Sequence, residues 1–200
     1  MARRYDHSRE ELLQMAIQAA RSLIIEEGTK ALTVRKVATK MGYAVGTIYN
    51  LFNNVDDLII HLNATTLDAL HNNLTTIVFS GNVESDIKKL SHSYIDFTFQ
   101  NLNLWNALFE HSLPKGETLP DWYNKKIDLL LNIVEAALAP LKTTISEEEI
   151  KKAARVLWSS LHGICSLATA DKLKIMTKDP AIELSNSLVT NYIAGLQQFK

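Results

Sequence analysis

The chain is poor in residues that bend or staple a fold. Its 200 residues include seven glycines, four prolines and one cysteine. Glycine and proline ordinarily supply roughly 12% of a globular chain, and this one has less than half that share. So few breakers exclude a disordered chain, argue against a β-sandwich, and favour long helices. A single cysteine, Cys165, rules out a disulfide framework or a zinc-finger set and suits a reducing compartment. No apolar run approaches the roughly 18 residues of a membrane span. The opening MARRYDHSREE is basic without an apolar segment behind it, unlike a secretory signal. A formal net charge of −1 gives no overall bias toward polyanions. The expectation is a soluble, cytoplasmic, mostly helical protein with no membrane partner.

Helical periodicity fills most of the chain. Ser8 and Glu11 have the spacing of a capping box, and Leu13, Ala16, Ile17, Ala20, Leu23 and Ile24 follow at intervals of three and four before Gly28. A second, short helix opens at Thr33 and stops at Gly42. A third runs from Val45 to Phe52, and Asn53-Asn54 separates it from a longer one beginning near Val55. Further helices centre on Ile87 to Phe97 and Leu104 to Phe109. After the proline-bearing loop LPKGETLP come helices over Trp122 to Leu138, from Ser146 to near Ala170, and from Asp179-Pro180 as cap and first helical residue to near Gln198. The fold class expected is all-α with about nine helices, divided near residues 53–57.

Charge is distributed unevenly. Residues 28–55 hold Lys30, Arg35, Lys36 and Lys40 and no acid, whereas residues 58–200 hold 13 basic and 15 acidic groups. The helix, tight turn and helix of residues 33–52 would place Ile48, Leu51 and Phe52 inward and Gly46, Thr47, Tyr49 and Asn50 outward. Hydrogen-bonding groups on an exposed helix beside Arg35 and Lys36 suit the major groove of duplex DNA. From periodicity alone, three short packed helices of a bundle are the preferred reading of the same residues.

Enzyme signatures are absent. There is no GxSxG elbow, HExxH pair, GxGxxG turn or phosphate loop. Cys165 lies among Ile164 and Leu167, where an inert buried thiol is expected. His92 and Asp96, one helical turn apart, read as an ion pair or cap and not as a metal site. No cofactor or metal is expected.

The string EEGTKALTVRKVATKMGYAVGTIYNLFNNVDDL resembles the N-terminal domain of the TetR family of bacterial transcriptional regulators, with LTVRKVA and GTIYNLF its most specific parts. That resemblance implies a helix-turn-helix DNA-binding domain over residues 1–54 and a ligand-binding and dimerisation domain over residues 55–200. It implies operator contacts by Thr33, Arg35, Lys36, Tyr43, Gly46, Thr47, Tyr49 and Asn50, with Thr33 at a phosphate. Three positions depart from the family's pattern. Ala44 stands where a serine cap is usual, and Val45 and Val55 where cations are. Each missing cation removes a phosphate contact and lowers the salt slope by roughly one.

Within the last third, Trp158, His162 and Gly163 form a Trp-x-x-x-His-Gly pattern similar to one subfamily of the same regulators. Trp158 and His162 share a helix face, and Gly163 would allow a close helix crossing. His162 reads either as a ligand or interface residue or as a satisfied core histidine. Aromatic and polar residues between 94 and 123 could line an effector pocket: Tyr94, Phe97, Trp105, Phe109, His111 and Trp122, joined by Trp158 and His162. For any one of them taken singly, core is the preferred reading. The resemblance places a homodimer interface on the last two helices, where Leu157, Leu161, Ile164, Leu184, Leu188, Tyr192 and Leu196 form stripes. The function implied is a ligand-responsive regulator, a repressor released from a near-palindromic operator by a small organic molecule. The alternative is a helical ligand-binding dimer with weakened or lost operator recognition.

Overall fold

The structure is a computed structural model that describes residues 7–198. Among these residues there are ten α-helices and no strand: α1 (Arg9–Glu27), α2 (Val34–Met41), α3 (Val45–Leu51), α4 (Val55–Thr75), α5 (Val83–Gln100), α6 (Leu102–Glu110), α7 (Asp121–Leu138), α8 (Glu147–Thr169), α9 (Leu173–Met176) and α10 (Ala181–Gln198). Short 3-10 turns occupy Thr29–Ala31 and Ala139–Thr143. The tenth helix beyond the expected nine is α9, a single turn too short to show periodicity and anchored by the buried Leu173. No helix among the described residues is long and apolar enough to cross a membrane.

Local chemistry sets the helix ends. Ser8 Oγ accepts from the Glu11 amide at 3.2 Å, and the Glu11 carboxylate accepts from the Ser8 amide at 2.6 Å, closing the capping box. The Glu11 carboxyl is held below the usual carboxylate range, mainly by that backbone bond. Gly28 ends α1 at φ 81°, its N–H donating to the Ile24 carbonyl. Thr33 caps α2 by accepting from the Lys36 amide at 3.2 Å, and Gly42 ends it in the left-handed region at φ 74°. Ser146 likewise accepts from the Glu149 amide, while the Glu149 carboxylate turns to Lys152 at 3.7 Å. The start of α10 differs from expectation. The Asp179 carboxylate accepts from the Thr177 hydroxyl at 2.9 Å, and the Pro180 carbonyl accepts from the Leu184 amide, so Pro180 takes the cap position.

The chain forms two compact units. One runs as far as Thr66 and includes Asn101–Tyr123; the other comprises Leu67–Gln100 and the chain from Asn124 onward. The first is centred on α1, which packs on α2, α3 and α6. Its core joins Ala16, Ala20 and Ile24 to Val37, Ala38, Ile48, Leu58, Leu62, Leu104 and Ala107. Alanines at Ala16, Ala20 and Ala38 keep the short helices close, and each fully buried isoleucine or leucine contributes about 1.5–3 kcal/mol.

In the second unit α5, α8 and α10 pack together. Tyr94, Ile150, Ala154, Cys165, Val189 and Ile193 are sealed within it. The loop before α5 is organised by Asp86, whose carboxylate accepts from the Ser80 and Gly81 amides, the Ser80 hydroxyl and Lys89. These donors, the Ser80 amide foremost, pull its carboxyl down to about 2. Of the two-helix stripe read from sequence, Leu157, Leu161 and Leu196 are buried inside the chain's own core, leaving Ile164, Leu184, Leu188 and Tyr192 half-buried. The close crossing expected at Gly163 is not made by the chain itself: a Cβ there would meet open space.

Candidate nucleic-acid interface and effector cavity

Helices α2 and α3 are joined by three residues, Gly42 to Ala44, which turn tightly because Gly42 adopts a positive φ. The Tyr43 amide donates to the Ala38 carbonyl at 3.0 Å, closing the end of α2. In α3 the buried side is Ile48 and Leu51, followed by Phe52. The opposite side carries Val45, Gly46, Tyr49 and Asn50, all exposed, with Thr47 half-buried and Tyr49 59% exposed. A Cβ on Gly46 would meet nothing, so its backbone lies open to solvent. Ala44 has the extended backbone of a cap residue, yet no side-chain bond covers the first amides of α3.

Thr33, Arg35 and Lys36 are exposed at the start of α2. The Thr33 oxygen is engaged as an acceptor in the cap, leaving its hydroxyl hydrogen to donate outward. Arg35 makes no ion pair among the described residues. Lys36 does, at 2.6 Å from Glu27, and Lys40 lies 2.9 Å from Glu26. Two of the four cations in the segment are therefore neutralised by the last turn of α1. Tyr43 is half-buried, and its hydroxyl is 2.7 Å from His7 Nδ1. His7 drew no notice in the sequence because it stands outside the helix-turn-helix pattern.

The eight aromatic and histidine pocket candidates fall into two sets, four in each compact unit. In the first unit Trp105 and Phe109 have ring centroids 5.0 Å apart, His111 Nε2 lies 2.8 Å from Asp56 Oδ1, and Trp122 stacks on His61 at 4.9 Å. His61 also meets the edge of Phe52 at 5.6 Å. Asn63 and Thr66 are buried there with one oxygen each unsatisfied, although the Asn63 amide donates to the Ala107 carbonyl.

In the second unit Phe97 is buried on α5, and Tyr94, Trp158 and His162 come together. The Tyr94 ring meets Trp158 edge-on at 5.0 Å, and its hydroxyl is 3.1 Å from His162 Nδ1. Burial lowers the His162 pKa, favouring neutral imidazole. Beside this trio is a cavity of about 30 Å³ walled by Leu74, Ile87, Leu90, Val134, Leu157 and Leu161 together with Ser91, Tyr94 and Trp158. None of these nine residues is charged. Cys165 is buried nearby in the sequence of α8, and burial pushes its thiol up to about 11, an unreactive state. His92 bonds Asn186 at 2.8 Å, and no metal-binding cluster exists among the described residues.

Comparison with known proteins finds relatives for both parts of the chain. Residues 16–62 match the profile described as "Bacterial regulatory proteins, tetR family", and residues 87–192 match "Tetracyclin repressor-like, C-terminal domain". The chain is 23% identical over 184 residues to the uncharacterized HTH-type transcriptional regulator YobS of Bacillus subtilis (strain 168), covering 92% of this chain and 91% of that protein. A solved protein of unknown function from Rhodococcus sp. RHA1 shares the fold with a TM-score of 0.76 at 17% identity, over 98% of this chain and 100% of the other. A tetR-family transcriptional regulator from Streptomyces coelicolor superposes with a TM-score of 0.67 at 19% identity, over 95% and 82%.

Proposed function

The chain belongs to the TetR family of bacterial transcriptional regulators, and from that premise we propose that it is a ligand-released repressor acting as a homodimer on a near-palindromic operator. As a member of that family it is a ligand-responsive regulator of transcription. In this reading residues 1–54 bind DNA, residues 55–200 bind effector and dimerise, and the protein works in the cytoplasm without enzymatic activity. The observation that carries the DNA reading is the outward face of α3: Gly46, Thr47, Tyr49 and Asn50 project away from a sealed core, beside an Arg35 that forms no ion pair among the described residues. Such a helix, held rigidly from behind, can enter a major groove. Arg35 and Lys36 approach phosphates, and Tyr43 adds its hydroxyl.

Dimerisation fits the residues that α8 and α10 leave uncovered. Ile164, Leu184, Leu188 and Tyr192 are only half-buried, Val156 and Ile182 are exposed, and a Cβ at Gly163 or Gly195 would meet open space. A second copy approaching these helices would find small residues where backbones must come close. Two-fold symmetry then sets the two α3 helices about 34–36 Å apart, one DNA turn. Effector binding that favours another spacing releases the operator. A coupling of about 1–3 kcal/mol changes DNA affinity by roughly 5–150-fold.

The test is fluorescence anisotropy against DNA selected from genomic fragments, with scrambled DNA beside it, across a salt series. Wild type binds selectively at two protomers per site. Arg35→Ala and Tyr49→Ala each weaken specific binding by roughly 5–150-fold with unchanged thermal unfolding. If both variants bind as wild type does, the assignment of α3 as the recognition helix is wrong. The uncapped α3 and the two neutralised lysines favour one second reading, a ligand-binding dimer with reduced operator affinity. Equal and weak binding to every fragment would establish it.

A further inference from the structure

The cavity beside Tyr94 holds one polar group that the fold leaves unused. Ser91 is 5% exposed and lines that cavity, one helical turn before Tyr94 on α5. Its hydroxyl has no hydrogen-bond partner among the described residues, whereas the Tyr94 hydroxyl is engaged by His162. A serine hydroxyl that opens onto an otherwise aliphatic and aromatic wall is a group positioned to orient a ligand through one hydrogen bond. We propose that this cavity recognises the effector of the regulator described above, and that the effector is an uncharged single-ring aromatic carrying one hydroxyl, a phenol in chemical class, whose hydroxyl pairs with Ser91.

Three observations support this choice. The lining has no charged side chain, and an ion buried there would lack a counter-charge. The cavity, at about 30 Å³, holds one or two waters, whereas a benzene-sized ligand occupies a cavity of about 150 Å³. A wall must therefore move. Eight of the nine lining residues are buried, and Trp158 alone reaches solvent. Turning Trp158 outward vacates the position 5.0 Å from the Tyr94 ring, and an incoming aromatic ring restores the lost edge-on contact. Ser91 lines the same cavity, and its hydroxyl is not engaged as that of Tyr94 is by His162. Ligand entry thus displaces a side chain of α8, the helix assigned to the dimer interface, which links this cavity to the spacing of two protomers.

The proposal rests on the effector reading, and its test separates the two. The full chain is titrated by calorimetry with 4-ethylphenol, ethylbenzene and 4-ethylbenzoate, while the Trp158 indole N–H resonance, assigned with Trp158→Phe, is followed by NMR. The expected result is binding of 4-ethylphenol with a shifted Trp158 signal, ethylbenzene weaker by roughly twofold to tenfold, and no binding of 4-ethylbenzoate. Ser91→Ala, checked for unchanged unfolding, abolishes the preference for 4-ethylphenol over ethylbenzene and leaves ethylbenzene binding as it was. Binding of the benzoate as tight as the phenol, a preference that survives Ser91→Ala, or no binding of either neutral ring overturns the proposal. Anisotropy of bound operator DNA in the same titration reports on function. Binding without DNA release keeps the cavity's ligand class and overturns its role in regulation.

Discussion

The helix α3 proposed to read DNA and the cavity proposed to take the effector place polar chemistry on opposite sides of their helices. In α3 the hydrogen-bonding groups face solvent and the apolar groups lock the helix to α1 and α2. In the bundle of α5, α8 and α10 the interesting hydroxyls of Ser91 and Tyr94 face inward, among aliphatic side chains. In the first arrangement the core behind the helix is sealed and the polar groups already face solvent. The second is closed, and it can accept a ring only by moving Trp158. In the proposed reading this difference has a use: a surface that reads DNA would keep its shape, and a site that senses a molecule would change when occupied.

The sharpest way to break that comparison is at neighbouring residues of α3. Ile48 is 1% exposed and Tyr49 59% exposed. Ile48→Ala leaves a cavity in the core shared with Ile24, Val37 and Leu58 and should destabilise the protein by about 2–5 kcal/mol. Tyr49→Ala should alter stability by less than about 0.5 kcal/mol while weakening operator binding by roughly 5–150-fold. Chemical denaturation of the two variants measures the split. Equal destabilisation would mean that α3 is not a rigid platform with separate inner and outer faces.

A smaller effect is expected in the second unit at Asp86, which anchors the entry to α5. Its folded pKa, lowered from 3.8 to about 2 by the Ser80 and Gly81 donors, means the ionised form is favoured by folding. The stability it contributes is therefore present above about pH 4 and lost as pH falls toward about 2. Asp86→Asn keeps one acceptor and loses the charge. It should lower Tm at neutral pH and flatten the decline of Tm between pH 4 and 2. An unaltered acid profile would show that another carboxylate governs this range.

How far these regions could be read in advance follows the same contrast. Helix ends at Ser8, Gly28, Thr33 and Gly42 were readable because a cap involves residues three or four apart. The outer face of α3 was readable because amphipathic periodicity separates it from Ile48 and Leu51. At Asp179 the local rule failed, because the Thr177 hydroxyl competes for the same carboxylate. The pocket candidates between Tyr94 and Trp122 are neighbours in sequence, yet the chain passes from one compact unit to the other after Gln100, so they are divided between the units. The pairing of Tyr94 with His162 spans 68 positions, and nothing local announces it. Ser91 was overlooked for another reason. A lone serine on an apolar stripe carries meaning only when the space before it is known.

The subtlest prediction concerns the charges behind the recognition unit. Lys36 and Lys40 pair with Glu27 and Glu26 in the last turn of α1, and all four side chains are substantially exposed. Exposed pairs contribute about 0–1 kcal/mol each, so the double change Glu26→Gln with Glu27→Gln should leave Tm almost unchanged. Its effect on DNA should be larger than its effect on folding, because it frees two cations and removes two anions from one face. Affinity should rise most at low salt, and the slope of log affinity against log salt should steepen by up to about two if both lysines then reach phosphates. Steepening by about one would assign a phosphate to Lys36, beside Arg35, and leave Lys40 outside the footprint. An unchanged slope with tighter binding would mean that the glutamates only repel the duplex at long range. The ion pairs would then set the strength of binding without touching its geometry, and the missing cations at Val45 and Val55 would account for the rest of any weakness.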